Sequence, residues 1–268
     1  MSSSENQASA APEHLANGVK DMSVNSKPDK KAKGGSAGGM PLDFEPRPAF
    51  FQARIDMFER IKAEQDSARA AAERKPITIT MPDGSTREGL SWETSPMDIA
   101  RAISKSLSER IVISKVNGQL WDLERPLEGD ATLELLDFDH PEGKRVFWHS
   151  SAHVLGEAAE RHYGCHLCIG PPTDEGFYYE MGMGDSGDRA VRSEDFDPLE
   201  KLINLAVKDK QTFERAVLTK EQLLEMFKYN KYKVHIINSK IPDGTSTTCL
   251  LNTTPSPRDM RRARIHSA

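Results

Sequence analysis

Hydrophobic and polar positions divide the chain into two patterned regions between less regular ends. Residues 1–47 are rich in small and polar types with few large apolar side chains, so we expect a disordered extension. Residues 48–75 predict a helical lead-in, because Phe51, Ile55 and Phe58 recur at spacings that share one helix face. The later half of this segment is mostly polar, which predicts a helix that packs weakly or projects into solvent.

Residues 76–139 predict one compact α/β unit. Two short β-branched runs around a turn predict a hairpin. Ser95 followed by Pro96 then predicts a helix start, with serine as the N-cap and proline at the first helical position. A buried strand at Ile111–Val116 ends at Asn117-Gly118, a strong turn signal. The order ββαβ(β)β is that of a ubiquitin-like β-grasp.

Residues 144–248 predict a second, α+β unit, so the fold class of the whole chain is α+β. We expect a first helix around residue 149, a second over 195–215, and a third that opens at the N-cap Thr219. The β-branched run at 232–237 predicts a strand. Residues 249–268 have no apolar period, and we expect them to form a disordered tail.

Two histidines, His149 and His153, stand four residues apart in the first predicted helix of this unit. That spacing places both imidazoles on one helix face, about 5–6 Å apart at Cβ. Such a pair can bind a metal, relay a proton or hold a ribose hydroxyl. With Cys165 and Cys168 it forms a His-x-x-x-His and Cys-x-x-Cys set that could bind zinc. Two ordinary histidines on a half-buried helix are the plain alternative.

Composition restricts the function classes. A formal net charge of −5 argues against a bulk nucleic-acid binder, so any RNA contact would use a local patch. The chain lacks an apolar run long enough to span a bilayer, and its first residues lack the pattern of a signal peptide. The 3 cysteines are few and odd in number, which indicates a reducing compartment, and we expect a cytoplasmic location.

Five short motifs follow one another along the two units. They are Met81-Pro82-Asp83-Gly84-Ser85, His149-Ser150-Ser151-Ala152-His153, Gly170-Pro171-Pro172, Gly176-Phe177-Tyr178-Tyr179-Glu180 and Phe227-Lys228-Tyr229-Asn230-Lys231-Tyr232-Lys233. In order and spacing, residues 48–248 closely resemble the N-terminal half of a eukaryotic cytosolic threonyl-tRNA synthetase. The resemblance implies that residues 76–139 are a TGS domain and that residues 144–248 are an incomplete editing domain of the threonyl/alanyl-tRNA synthetase type.

The resemblance also implies a chemistry. A threonine pocket excludes the smaller serine by only about 1–3 kcal/mol, so the family hydrolyses mischarged Ser-tRNA(Thr) at a second site. Carried over by position, His149 and His153 line that site, where one holds or relays a proton to the departing ribose hydroxyl. Tyr179 lines the substrate pocket, and Lys233 positions water or stabilises developing negative charge. The implied partners are tRNA(Thr) and Ser-tRNA(Thr), with homodimerisation through the family's aminoacylation core.

After Thr248 this chain departs from the family pattern. The family continues into a strand and a Cys-x-x-x-His motif that completes the editing site, whereas Cys249 and His266 are the only Cys and His beyond residue 240 here. We expect a truncated or alternatively spliced product, or a gene-model error, with a non-homologous tail over 249–268 and no aminoacylation core. ATP, Mg²⁺ and zinc would bind only in that core, so no cofactor is expected in this chain. We therefore expect weak or no hydrolysis, and the alternatives are a non-catalytic RNA- or protein-binding module and the zinc site above.

Overall fold

The computed structural model describes residues 42–184 and 190–252. The predicted extension up to residue 41 and the predicted tail beyond residue 252 lie outside these residues. Within the described part, no helix is both long and apolar enough to cross a membrane.

The first unit is the predicted β-grasp. Its elements are β1 (Pro76–Thr80), β2 (Thr86–Leu90), α2 (Pro96–Ile103), α3 (Lys105–Arg110), β3 (Ile111–Val116), β4 (Gln119–Trp121) and β5 (Ala131–Asp137), after a helix α1 (Ala49–Ala70). The strands pair in the order β2-β1-β5-β3-β4, with β1 parallel to β5 and the other pairs antiparallel. Apolar side chains from α2 and the inward sheet face, among them Ile79, Ile99 and Leu133, form its core.

Local sequence signals account for the turns and the helix start of this unit. Ser95 Oγ accepts a hydrogen bond from the Asp98 amide at 3.2 Å, and the Asp98 carboxylate accepts one from the Ser95 amide at 3.0 Å, which forms a capping box. Asn117 and Gly118 both have positive φ, 51° and 79°, as a tight hairpin between β3 and β4 requires. The predicted α+β class with a β-grasp first unit is confirmed.

The second unit is organised around a long helix, α4 (Pro141–Tyr163). Short strands follow it: β6 (His166–Leu167), β7 (Pro172–Thr173), β8 (Gly176–Phe177) and β9 (Met181–Gly182). Then come α5 (Phe196–Lys208), β10 (Phe213–Thr219), α6 (Lys220–Met226), α7 (Lys231–Lys240) and β11 (Ser246–Asn252). The predicted N-cap Thr219 accepts a hydrogen bond from the Gln222 amide at 3.2 Å. α4 begins directly against the β-grasp sheet, where Lys115 of β3 contacts Glu142 at 2.8 Å.

Helix α1 is part of the second unit, and the prediction that it packs weakly is wrong. Phe58 and Ile61 of α1 are 0% and 3% exposed and join a core with residues of β10, α6 and α7. The polar half also docks, because the Gln65 side-chain amide donates to the Val217 carbonyl and accepts from the Val217 amide, at 2.6 and 3.0 Å. These two bonds satisfy backbone groups at the edge of β10 that would otherwise lack strand partners.

The boundaries predicted at both ends of the second unit also need correction. Residue 47 is too late for the end of the extension, because the Phe44 amide donates to the Arg161 carbonyl at 2.7 Å and Asp43 pairs with the Arg161 side chain at 2.9 Å. Residue 248 is too early for the end of the fold, because β11 pairs with β10 up to Asn252. Cys249 on this strand packs against the core that contains Phe58 and Ile61 of α1.

Two predicted elements have a different structure. The helix expected over 195–215 ends at Lys208, and Lys210 has a positive φ of 50°, after which β10 begins. Alternation places Ala216 and Leu218 of β10 in the core, both 0% exposed. The strand expected over 232–237 is part of helix α7, because the Asn230 side chain caps its first turn and overrides the β-branched local preference.

Candidate functional site

The two histidines lie on one face of α4, as their spacing predicts. Their rings are stacked, with centroids 5.0 Å apart and planes inclined by 25°. Phe213, at the start of β10, meets the His153 ring edge-on at 6.1 Å. His153 therefore lies between its own helix and the antiparallel strand pair β10–β11.

An open cavity with an empty volume of about 590 Å³ lies beside this pair. It brings together three of the four predicted site residues: His153 from α4, Tyr179 from the segment after β8, and Lys233 from α7. His149 stacks on His153 and is not itself among the lining residues. The remaining lining residues are Arg54, Glu157, Glu160, Leu167, Phe227, Tyr229, Asn230, Leu250 and Leu251.

Two glycines make room for the Tyr179 ring. A Cβ at Gly156 of α4 would lie 2.7 Å from the ring, and a Cβ at Gly170 would lie 2.4 Å from it. Both distances are shorter than any tolerated carbon contact, so the ring reaches the cavity only because these two positions lack side chains. Burial raises the pKa of Tyr179 above its ordinary value, so the phenol stays protonated and its hydroxyl remains a donor.

Lys233 reaches the cavity from the first turn of α7. Asn230 fixes that turn: its Oδ1 accepts from the amides of Tyr232 and Lys233, both at 3.1 Å, and its Nδ2 donates to the Leu167 carbonyl at 2.8 Å. Burial lowers the pKa of Lys233, and this effect prevails over the opposing influence of Cys249. A larger fraction of uncharged amine is therefore present near neutral pH than for an exposed lysine.

Both histidines are held in the neutral form. Burial, followed by the neighbouring His149 and Lys233, lowers the pKa of His153 to about 4. Burial and then Arg145 lower the pKa of His149. At pH 7 each ring therefore has one N–H donor and one acceptor nitrogen, which suits hydrogen bonding to a ribose hydroxyl.

A buried network next to these residues was missed by the sequence analysis. Arg54 of α1 forks onto the Glu160 carboxylate of α4, at 2.8 Å from Nη1 to Oε1 and 2.6 Å from Nη2 to Oε2, and its Nη1 also donates to the Tyr229 hydroxyl at 2.9 Å. A sequence signal was available, because Arg54 lies three residues after Phe51 and four before Phe58, on the apolar face of the helix. A cation on such a face needs a buried partner.

The ligand set of the alternative zinc site does not assemble. Cys165 is 3% exposed and packs in an apolar core with Leu199 and Leu202 of α5. Across residues 42–184 and 190–252, no three His, Cys, Asp or Glu side chains converge in a way that could hold a metal ion.

Comparisons with known proteins agree with the β-grasp and extend beyond it. The TGS domain family matches residues 77–137. "Threonine--tRNA ligase, cytoplasmic" of Saccharomyces cerevisiae is 51% identical over 246 residues, which is 86% of this chain and 33% of the relative. The protein of the same name in Caenorhabditis elegans is 56% identical over 207 residues, 77% of this chain and 28% of the relative. "Threonine--tRNA ligase 1, cytoplasmic" of Bos taurus is 45% identical over 252 residues, 91% of this chain and 34% of the relative.

The fold and these matches show that the chain contains a TGS domain and is related to tRNA ligases. Over most of its length the chain is similar to cytoplasmic threonine–tRNA ligases, and it spans about a third of the length of the curated relatives that it matches.

Proposed function

We propose that this chain is the region of a threonyl-tRNA synthetase family protein that binds tRNA(Thr) and edits mischarged Ser-tRNA(Thr). The observation that carries the proposal is the single cavity into which α4, α7 and the segment after β8 bring His153, Tyr179 and Lys233, with His149 stacked alongside. The residues that the family resemblance predicts from distant parts of the sequence thus lie in one place.

In the proposed reaction, a water oxygen bonds to the seryl carbonyl carbon and the bond from that carbon to the ribose 3′ oxygen breaks. The departing oxygen takes up a proton that the water gives up, so no further reactant is needed. With a pKa of about 4, His153 is protonated in only about one molecule in a thousand at pH 7. We therefore assign the paired histidines the task of holding ribose hydroxyls as neutral donors and acceptors, rather than that of a charged acid.

The other two residues complete the assignment. The Tyr179 hydroxyl is a donor that does not ionise near neutral pH, so it suits a substrate oxygen at the pocket wall. Lys233, with its lowered pKa, is suited to orienting the attacking water as an amine and to stabilising the negative charge on the carbonyl oxygen as an ammonium. Two glycines and one helix cap hold these groups in place, which supports a preorganised site.

The remaining activities of the family are assigned to a part of the protein other than the residues of this chain. We propose that ligation of threonine to tRNA, its ATP, Mg²⁺ and zinc, and homodimerisation belong to a core outside this chain. The TGS domain would contribute tRNA contacts, and the location would be cytoplasmic, as the names of the relatives state for those proteins.

The test is serine release from Ser-tRNA(Thr), measured together with the binding of a non-hydrolysable seryl-3′-aminoadenosine. The chain is compared with His149→Ala and with His235→Ala, a control that removes an exposed histidine of α7. We expect the analogue to bind, with binding and a slow release both reduced in His149→Ala and unchanged in the control. Release no faster than buffer in every chain would reject hydrolysis, and failure of the analogue to bind would reject the proposal as a whole.

A second candidate function is a non-catalytic RNA-binding module. It is favoured by the absence of the family's Cys-x-x-x-His spacing after residue 240. Analogue binding without any serine release would identify this function.

A further inference from the structure

Helix α1 lies outside both units that the sequence predicts to be functional, yet it contributes a charged side chain to the cavity. Arg54 is among the lining residues and is 11% exposed, while its partner Glu160 is 2% exposed. The Arg54 Nε is buried and has no hydrogen-bond partner among the described residues. Burial alone would lower the pKa of Arg54, but the Glu160 carboxylate outweighs it and raises the pKa, so the guanidinium stays charged.

The network of Arg54 reaches both helices that carry the candidate site residues. Glu160 lies two turns beyond His153 on α4. Tyr229, which accepts from Arg54 at 2.9 Å, directly precedes Asn230, the residue that caps α7 and fixes Lys233. Phe50, one turn before Arg54, stacks on the Tyr229 ring with centroids 4.0 Å apart, so the tyrosine is held from two sides.

We propose that Arg54 is a positioning residue of the candidate editing cavity, which ties α1 to α4 and α7 and thereby sets the geometry and charge around His153 and Lys233. The proposal rests on the proposed function only for the ligand used in its test. A forked guanidinium–carboxylate pair has one favourable geometry, so it fixes the two helices more tightly than a single contact does.

Titratable groups from several elements interact electrostatically with Lys233. They are Arg54 from α1, His149, His153 and Glu160 from α4, Cys168 after β6 and Cys249 from β11. Arg54 lowers the pKa of Lys233 and Glu160 raises it. We therefore expect removal of Arg54 and removal of Glu160 to shift the pKa of Lys233 in opposite directions, whereas a general loosening that exposes Lys233 would raise its pKa in both cases.

The experiment uses the full chain with ¹³C-labelled lysine, and the pKa of Lys233 is followed by NMR. The variants are Arg54→Met, Glu160→Gln and the double variant Arg54→Met/Glu160→Met, which avoids a buried unpaired charge if the single variants fail to fold. Asp43→Ala is the matched control, because Asp43 also pairs with an arginine of α4, Arg161, and does not line the cavity.

We expect the pKa of Lys233 to rise in Arg54→Met, to fall in Glu160→Gln and to stay in place in Asp43→Ala. Binding of seryl-3′-aminoadenosine should weaken about tenfold or more in the double variant, since small displacements of positioned groups have effects of this size. Shifts of the same sign in both single variants would overturn the proposal. So would a double variant that binds as tightly as the unaltered chain, or an Asp43→Ala variant that binds as weakly as the double variant. Failure of the proposed function is distinguishable, because the unaltered chain itself would then not bind the analogue.

Discussion

The lowered pKa of His153 makes the stability of the second unit depend on pH. Its ordinary value of 6.5 applies to the unfolded chain, and the value in the folded chain is about 4. Between these two values the unfolded chain binds more protons, so stability is complete above pH 6.5 and is lost as the pH falls toward 4. The full difference corresponds to about 3 kcal/mol, of which about 2 kcal/mol is lost by pH 5.

This loss can be isolated by replacing the histidine. Urea denaturation at pH 7 and pH 5, followed by the amide NMR signals of α4, is compared for the chain, His153→Gln and His235→Gln. We expect the unaltered chain to lose about 2 kcal/mol more than His153→Gln over this interval, and the His235→Gln control to behave like the unaltered chain. An equal loss in the chain and in His153→Gln would refute the burial-based account of the neutral imidazole.

Three further predictions concern the cavity and the cysteines. Gly156→Ala should weaken analogue binding and destabilise the chain by about 1 kcal/mol, because overpacking against Tyr179 exceeds the helix preference of alanine. Gly129→Ala, which meets no atom within 4 Å, is its control, and equal binding by both variants would contradict the packing argument. Burial raises the pKa of Cys249 to about 11, so iodoacetamide at pH 8 should label this thiol only after unfolding, and rapid native labelling would contradict this. EDTA should change neither unfolding nor binding, whereas one bound zinc per purified chain would contradict the absence of a metal cluster among the described residues.

The elements that were predicted correctly carry their signals locally. Two of these signals are the N-caps Ser95 and Thr219, whose side chains accept hydrogen bonds from amides in the first turn of the helix. A third is the Asn117-Gly118 pair, which forms a tight turn with positive φ. In each case a few neighbouring residues are enough to predict the structure. The segment after Asn230 shows the limit of this approach. Its valine and isoleucines favour a strand, and the cap and the packing of Ile237 make it a helix.

The candidate site was predicted only in part for a related reason. The His149/His153 pair follows from helical spacing, and Tyr179 and Lys233 followed from the family resemblance. Arg54 and Glu160 are 106 positions apart in the sequence, and only the packing of α1 on the second unit brings them together. The length of the strand at Cys249 likewise depends on its partner β10, which a local pattern cannot show.

We propose that the cavity receives the seryl-adenosine end of a mischarged tRNA. Titration of the full chain with seryl-3′-aminoadenosine, followed by ¹H–¹⁵N and ¹H–¹³C NMR, tests this claim directly. We expect the largest shifts to fall on His149, His153, Tyr179 and Lys233, and we expect adenosine alone to cause smaller ones. Saturable shifts confined to residues outside the cavity, or no shifts at millimolar analogue, would contradict this claim.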